Sequence, residues 1–483
     1  MAARLMDMDI AVEELVPAPD AEEMFLRLVE WPHCIFFDSA RREPELGRYS
    51  FITADPFDYL ALSAGDSPTI FDPLEELGRW LARFATDTLP GLPPFQGGAA
   101  GLLGYDLAQR LERLSHCRFD EFDVPALAIG FYDVVVAIDH LTQRAWLISQ
   151  GFPEMEPHLR RRRATKRLQQ FRRRLLEPLG APAPRSAVKG SRLSAGDLAP
   201  QYAVADAGAA AGRSLTSNFS PTQYLETVRR GIEYIRAGDI FQVNLAQRLL
   251  CPAGDDPVAL YQRLRRRNAA TFAGYFDLGE FQILSASPER FLQCVGGEVE
   301  ARPIKGTRRR TARPEADLFA GDELRQSEKD NAENVMIVDL LRNDLARVCR
   351  PESVLVSELC RLEVYEFVQH LVSVVRGRLA DGVGPLDLIR AAFPGGSITG
   401  APKIRAMQII AELEPTARGA YCGALGYLGF DGTLDSNILI RTITASRGWW
   451  QMPVGGGIVA QSEPQREYEE TWHKAEGLLR ALE

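Results

Sequence analysis

No apolar run in this chain reaches the length that a membrane-spanning helix needs. No secretory signal core is found either, because Met1 to Glu14 mixes Arg4, Asp7, Asp9, Glu13 and Glu14 into its apolar residues. The seven cysteines are scattered, odd in number and without any C-x-x-C pair, a usage that argues against zinc ribbons and disulfide scaffolds and suits a reducing compartment. A basic excess is also missing. With 56 Lys and Arg against 65 Asp and Glu, the formal net charge is −9, unlike that of a general nucleic-acid binder. The expectation is a cytoplasmic protein that binds neither nucleic acid nor membrane. What is present is an ordinary globular composition, 46% hydrophobic and 25% charged, in a 483-residue chain.

Residues 1–177 read as a first domain of short strands and turns. Cys34–Phe37 and Tyr49–Ile52 look like neighbouring strands, and the β-branched run Asp133–Ile138 like a buried one. No acid–base constellation is visible there. Residues 157–177 form a basic helix candidate in which Ala164, Leu168, Phe171 and Leu175 make an apolar stripe. That stripe favours a packed helix with a solvated face over a nucleic-acid surface. Residues 178–217, rich in Ala, Pro, Gly and Ser, read as a linker. The second domain, 218–483, opens on a capping box, Ser220 with Gln223, and a first-turn Pro221. Its first helix is expected to stop at Gly238, and the alternation from Ile240 to Leu250 then predicts a half-buried strand.

The chemistry gathers in this second domain. Lys305 lies in Pro303-Ile304-Lys305-Gly306-Thr307, between a residue that fixes φ and one that permits unusual φ. Such a lysine can be aimed, although taken alone it is more often a solvated surface residue. Asp330 and Glu333 are i, i+3 on one predicted helix, and Glu467 and Glu470 are i, i+3 on another, capped by Ser462 and Gln465. Such carboxylates can hold Mg²⁺, or simply favour helix N-termini through the macrodipole. Gly455-Gly456-Gly457, before the second acidic helix, reads as an anion cradle. The stretch Phe393–Lys403 suits a small anion through its glycines, hydroxyls and Lys403, and Arg441 at a strand end can clamp a carboxylate. Glu289, sixteen residues before Lys305, faces it if the strands fold back.

These motifs are similar to those of the chorismate-utilising enzymes, the family of the anthranilate synthase and aminodeoxychorismate synthase large subunits. The resemblance is dense over 220–483, through Ser287–Phe291 (SPERF), Pro303–Thr307 (PIKGT), Ala332–Val348, Gly395–Met407, Gly426–Gly432 and Gly455–Ala475. It is looser at Phe36–Ala40 and Gly47–Phe51. It implies an α+β fold of orthogonally packed antiparallel sheets flanked by helices. At the lysine position the anthranilate-forming members carry alanine, whereas the aminodeoxychorismate branch carries lysine, as here. The resemblance implies that Lys305 is a covalent nucleophile toward chorismate, with Glu289 as general acid and base. It implies a Mg²⁺ site at Glu333, Glu467 and Glu470, and substrate contacts at Thr307, His370, Thr399, Lys403, Tyr427, Arg441, Gly456, Gly457 and Asp330. Asp330 departs from the glutamate that many relatives have there.

Amination of chorismate at C4, toward p-aminobenzoate and folate, needs ammonia. No G-x-C-x-G nucleophile elbow of a glutamine amidotransferase occurs in the chain, so the resemblance implies a separate glutaminase subunit. The match stops at the second acidic helix, so no fused lyase is expected. Ser39, Tyr49 and Ser50 match one side of the family's tryptophan pocket. The Asn-Pro segment that usually forms the other side reads Asn268-Ala269-Ala270 here, which makes tryptophan binding a weak expectation.

Overall fold

The computed structural model describes residues 9–42, 46–63, 65, 72–178, 191–204, 214–310, 313–364 and 368–483. Two large antiparallel sheets, of thirteen and ten strands among these residues, face each other. Ile35, Phe51, Val135 and Phe276 from the first sheet meet Ala100, Leu102, Tyr132 and Leu425 from the second in one apolar layer. Helices Ala21–Leu28, Pro157–Leu176, Pro257–Arg267 and Pro464–Ala481 cover the outer face of the larger sheet. Helices Pro73–Arg83, Glu328–Ala346 and Pro385–Ala392 cover the smaller one. A sheet covered on both faces buries both sides of its strands. That is why the run of residues 134–138 is apolar without alternation and buried throughout.

Both sheets run through the two sequence segments. Strand Ile35–Asp38 pairs with Phe272–Asp277, and strand Gly98–Leu103 pairs with Ala424–Gly429. Parts of the expected linker are strands as well. Tyr202–Ala203 and Thr216–Ser217 add to the end of the larger sheet beside Gln242–Pro252. Residues 179–190 and 205–213 of that segment lie outside the described residues.

The capping box at Ser220 and Gln223 forms, and its helix runs from Pro221 to Arg236. The following strand differs from its expected half-burial: Gln242 to Cys251 are all buried. Its polar positions serve internal hydrogen bonds instead of solvent. Asn244 Nδ2 donates to the Ile398 carbonyl at 3.0 Å, and Gln247 Nε2 to Thr471 Oγ1 at 2.6 Å.

In the basic helix, the stripe Ala164, Leu168, Phe171 and Leu175 is buried as the spacing predicts. Arg167 is buried with it. Its guanidinium donates to Asp55 Oδ2 at 2.6 Å and to Asp133 Oδ1 at 3.3 Å. Burial holds the Asp133 carboxyl above its ordinary range, against the pull of Arg167 and Arg163. Arg167→Met should strip the main counter-ion from a buried carboxylate and lower unfolding free energy by about 3 kcal/mol. Chemical denaturation reads this directly, and a loss below about 1 kcal/mol would contradict the assignment.

Candidate active site

Lys305 is aimed by a break in strand pairing. Strand Ile304–Arg309 pairs with Val368–Arg378, and its register shifts between Lys305 and Thr307. Gly306 sits in that bulge at φ +71°, where a Cβ would lie 2.7 Å from the Leu324 side chain, so the turn is open only to glycine. Lys305 Nζ donates to the Ser397 carbonyl at 3.1 Å. Ser397 Oγ donates in turn to Glu289 Oε1 at 2.8 Å.

Glu289 stands between strands Phe281–Ser287 and Arg290–Val295 and is 4% exposed. Burial raises its pKa, while the Ser397 hydrogen bond and the charge of Lys305 oppose the rise. The fold-back that would bring Glu289 toward the lysine is thus present. Arg441, at φ +51°, also faces Glu289 electrostatically.

On the other side of Lys305 lies the helix Glu328–Ala346, capped by Ser327 through Asp330 N–H. Glu333 is raised by burial and pulled back by Lys305 and Lys329. Asp330 lies beside the bulge, where the position of a Gly306 Cβ is 3.1 Å from its carboxyl, and Arg308 is 3.4 Å from Asp330 Oδ2. Thr307 Oγ1 and His370 Nδ1 are 2.8 Å apart. Burial, then Arg441 and Arg41, push the His370 pKa down to about 3, so its ring is neutral.

The second acidic helix, Pro464–Ala481, brings Glu467 and Glu470 to the same region, since Lys329 Nζ is 3.0 Å from Glu467 Oε1 and 3.9 Å from Glu333 Oε1. For Glu470, burial alone would raise the pKa, but Lys474 at 2.7 Å takes it below the ordinary range. Ser462 does not cap this helix. Glu463 is at the cap position, and the Ser462 hydroxyl donates to Glu467 Oε1 at 2.6 Å.

The glycine triplet is strand, not a cradle at a helix start. Gly455, Gly456 and Gly457 belong to Trp449–Ile458 and pair with Ala246, Leu245 and Asn244. The absence of side chains there still has a use. A Cβ on Gly456 would lie 3.5 Å from Glu467 Oε2 and 3.6 Å from Glu470 Oε1, and one on Gly457 would strike the Gln242 amide at 2.3 Å.

Three expected pocket residues have side chains engaged by the protein itself. The Lys403 ammonium is buried between Asp344 Oδ2 and the Ala392 carbonyl, each at 2.7 Å. Thr399 Oγ1 donates to the Gly395 carbonyl within its own turn. The Tyr427 ring stacks on Phe95 at 4.4 Å in the layer between the sheets. Ser39, Tyr49 and Ser50 do come together: Ser39 Oγ donates to the Tyr49 carbonyl, and Ser50 Oγ meets His140 Nε2 at 2.7 Å.

Among the described residues, no three His, Cys, Asp or Glu side chains stand close enough to hold one metal ion as they are. Glu467 Oε2 is nonetheless a buried acceptor with no hydrogen-bond partner, beside an opening kept by Gly456. A hard cation would fit that oxygen's chemistry, so Glu333, Glu467 and Glu470 are the candidate ligands. Sequence reasoning missed Lys329, Lys474, Gln242 and His140, and took Ser397 only as one hydroxyl of the stretch Phe393–Lys403. Lys329 and Lys474 carried a legible signal, each four residues after or before a candidate acid on one helix face.

The chain matches the chorismate binding enzyme family over residues 32–480, and it belongs to that family. It is 44% identical over 396 residues to anthranilate synthase component 1 of Thermus thermophilus, covering 82% of this chain and 79% of that one. It is 40% identical to aminodeoxychorismate synthase component 1 of Klebsiella aerogenes, over 96% of this chain and 97% of the relative. The crystal structure of anthranilate synthase component I from Streptococcus pneumoniae superposes with a TM-score of 0.74 at 30% identity, covering 91% and 93% of the two chains. The fold and the family are thereby those of a chorismate-utilising enzyme, and both aminating branches lie at comparable distance.

Because burial raises the folded-state pKa of Glu289, its charged form costs stability once pH rises through that value. Glu289→Gln should melt higher than the unaltered chain at pH 8. The gap should narrow as pH falls toward 4, where both are neutral. Thermal unfolding across that range tests this, and an equal or lower midpoint at pH 8 would contradict it.

Proposed function

We propose that this chain is the chorismate-aminating component of an aminodeoxychorismate synthase. The observation that carries the reading is the Lys305 amine, directed by the Gly306 bulge onto Ser397, whose hydroxyl meets Glu289. In this reading the Lys305 amine adds at C2 of chorismate as the double bonds shift and the 4-hydroxyl departs. Glu289, whose raised pKa suits a proton donor, protonates that hydroxyl as it leaves. Ammonia then adds at C4, the electrons shift back and Lys305 is expelled. Glu289 takes the proton that ammonia releases, giving 4-amino-4-deoxychorismate with the enolpyruvyl group retained. Arg441 and the neutral His370 flank the ring.

Glu333, Glu467 and Glu470 would hold Mg²⁺, which when bound supplies positive charge for a substrate carboxylate. Ammonia is supplied by a separate glutamine amidotransferase subunit, and free ammonium at high concentration replaces it.

A second reading, anthranilate synthase component 1, is favoured by the 44% identity to that enzyme from Thermus. Product analysis separates the two. Chain, chorismate, Mg²⁺ and ammonium at mildly alkaline pH should give a product with the amine at C4, by mass spectrometry against standards. Lys305→Ala should lower that product at least about 10³-fold, since among the described residues Lys305 is the amine that acts on Glu289. Anthranilate with free pyruvate from the unaltered chain would overturn the reading.

A further inference from the structure

Besides Lys305, two ammonium groups stand among the acids of the site. Lys474 pairs with Glu470 Oε1 of its own helix at 2.7 Å and donates to the Gly455 carbonyl of the adjoining strand at 2.9 Å. Lys329 instead crosses between helices, from Glu328–Ala346 to Glu467 on Pro464–Ala481, with Glu333 at 3.9 Å on its own helix. Its side chain is 44% exposed, so a swing into solvent costs little. The ammonium of Lys403, buried between Asp344 and a carbonyl, has no such freedom. Glu467, 3% exposed, uses one oxygen for Lys329 and Ser462 and keeps the other buried without a partner.

We propose that Lys329 is a tethered counter-ion that determines which cation the site accepts. Without a divalent ion its ammonium neutralises Glu467 and Glu333, and a divalent ion binds by displacing it. The proposal rests on the reading that these carboxylates take Mg²⁺. The discrimination follows from charge. A monovalent ion that displaces Lys329 exchanges one unit charge for another and must also dehydrate. A divalent ion brings a second charge to a site that also contains Glu470, and it can coordinate the free Glu467 oxygen. An ammonium offers only donors on a flexible stem, so it satisfies the acids without fixing a coordination geometry. The same contact explains why no ready-made three-carboxylate cluster is present among the described residues: the acids are arranged around a lysine.

The test uses the full chain and MgCl₂ alone, at constant ionic strength and without substrate. Isothermal titration and thermal unfolding are read for the unaltered chain, Lys329→Met, Lys329→Gln, Glu467→Gln and, as a control, the surface variant Lys166→Met. Lys329→Met and Lys329→Gln should unfold at lower temperature without metal. They should bind Mg²⁺ about threefold to tenfold more tightly, the range expected for loss of one half-exposed ion-pair competitor. They should also gain stability from potassium, which the unaltered chain should not. Lys166→Met should behave like the unaltered chain. If both Lys329 variants bind Mg²⁺ no more tightly than a chain that does bind it, the counter-ion proposal is overturned while the metal reading stands. If the unaltered chain binds no Mg²⁺, or Glu467→Gln binds it equally well, the metal reading fails and the proposal with it.

Discussion

Ser397 touches both a buried acid and a half-buried amine: its hydroxyl reaches Glu289 and its carbonyl receives Lys305. The position of that one residue sets how far apart the two groups stand, and the surrounding structure fixes it from behind. The next carbonyl, Ile398 O, accepts from Arg418 at 3.1 Å and from Asn244 at 3.0 Å. Arg418 also donates to the Asn244 carbonyl and is paired with Glu414, which accepts from Ala246 N–H. A buried ion pair of this kind adds little net stability compared with apolar packing. Its value lies in geometry, because it ties the Ser397 turn to the central strand Gln242–Pro252. That strand pairs in turn with the glycine triplet beneath Glu467 and Glu470. The amine, its acid and the second acidic helix therefore share one rigid support.

Charge balance is the second constraint. Each candidate acid has a cation facing it: Lys305 and Arg441 for Glu289, Lys305 and Lys329 for Glu333, Lys329 for Glu467, Lys474 for Glu470, and Arg308 for Asp330. The balance is uneven, and the shifts follow it. Glu470, closely paired, lies below its ordinary value, whereas Glu289 and Glu333 lie above theirs because burial outweighs their partners. Carboxyls driven apart in this way can serve different tasks at one pH. His370, surrounded by positive charge, stays neutral and hydrogen-bonds Thr307 without adding to the positive field.

Much of this was legible in the sequence wherever the cause is local. The Ser220 box, the stripe of the basic helix and the Pro-Lys-Gly turn each act within a few residues, and each forms. The family motifs pointed to the other candidate residues, including Glu289, Glu333 and Glu467. What was not legible depends on distant partners. The alternation in Gln242–Leu250 looked solvent-facing because nothing local reveals that its polar side chains meet Ile398 and Thr471. The glycine triplet looked like an anion cradle before a helix because its strand partner lies about two hundred residues earlier. Ser462 looked like a cap because the spacing fits, yet its hydroxyl has a stronger acceptor in Glu467. Tyr427 and Lys403, transferred from motif positions, serve packing and a buried ion pair.

The central claim is that Lys305 becomes covalently joined to the substrate, and trapping that species tests it most directly. The chain would be incubated with chorismate and Mg²⁺ in strictly ammonia-free buffer, quenched, and its intact mass and peptides measured. The account predicts a mass gain of chorismate less one water, localised to the peptide carrying Lys305 and absent from Lys305→Arg. An unmodified Lys305 in a preparation that goes on to aminate chorismate at C4 once ammonium is added would contradict it.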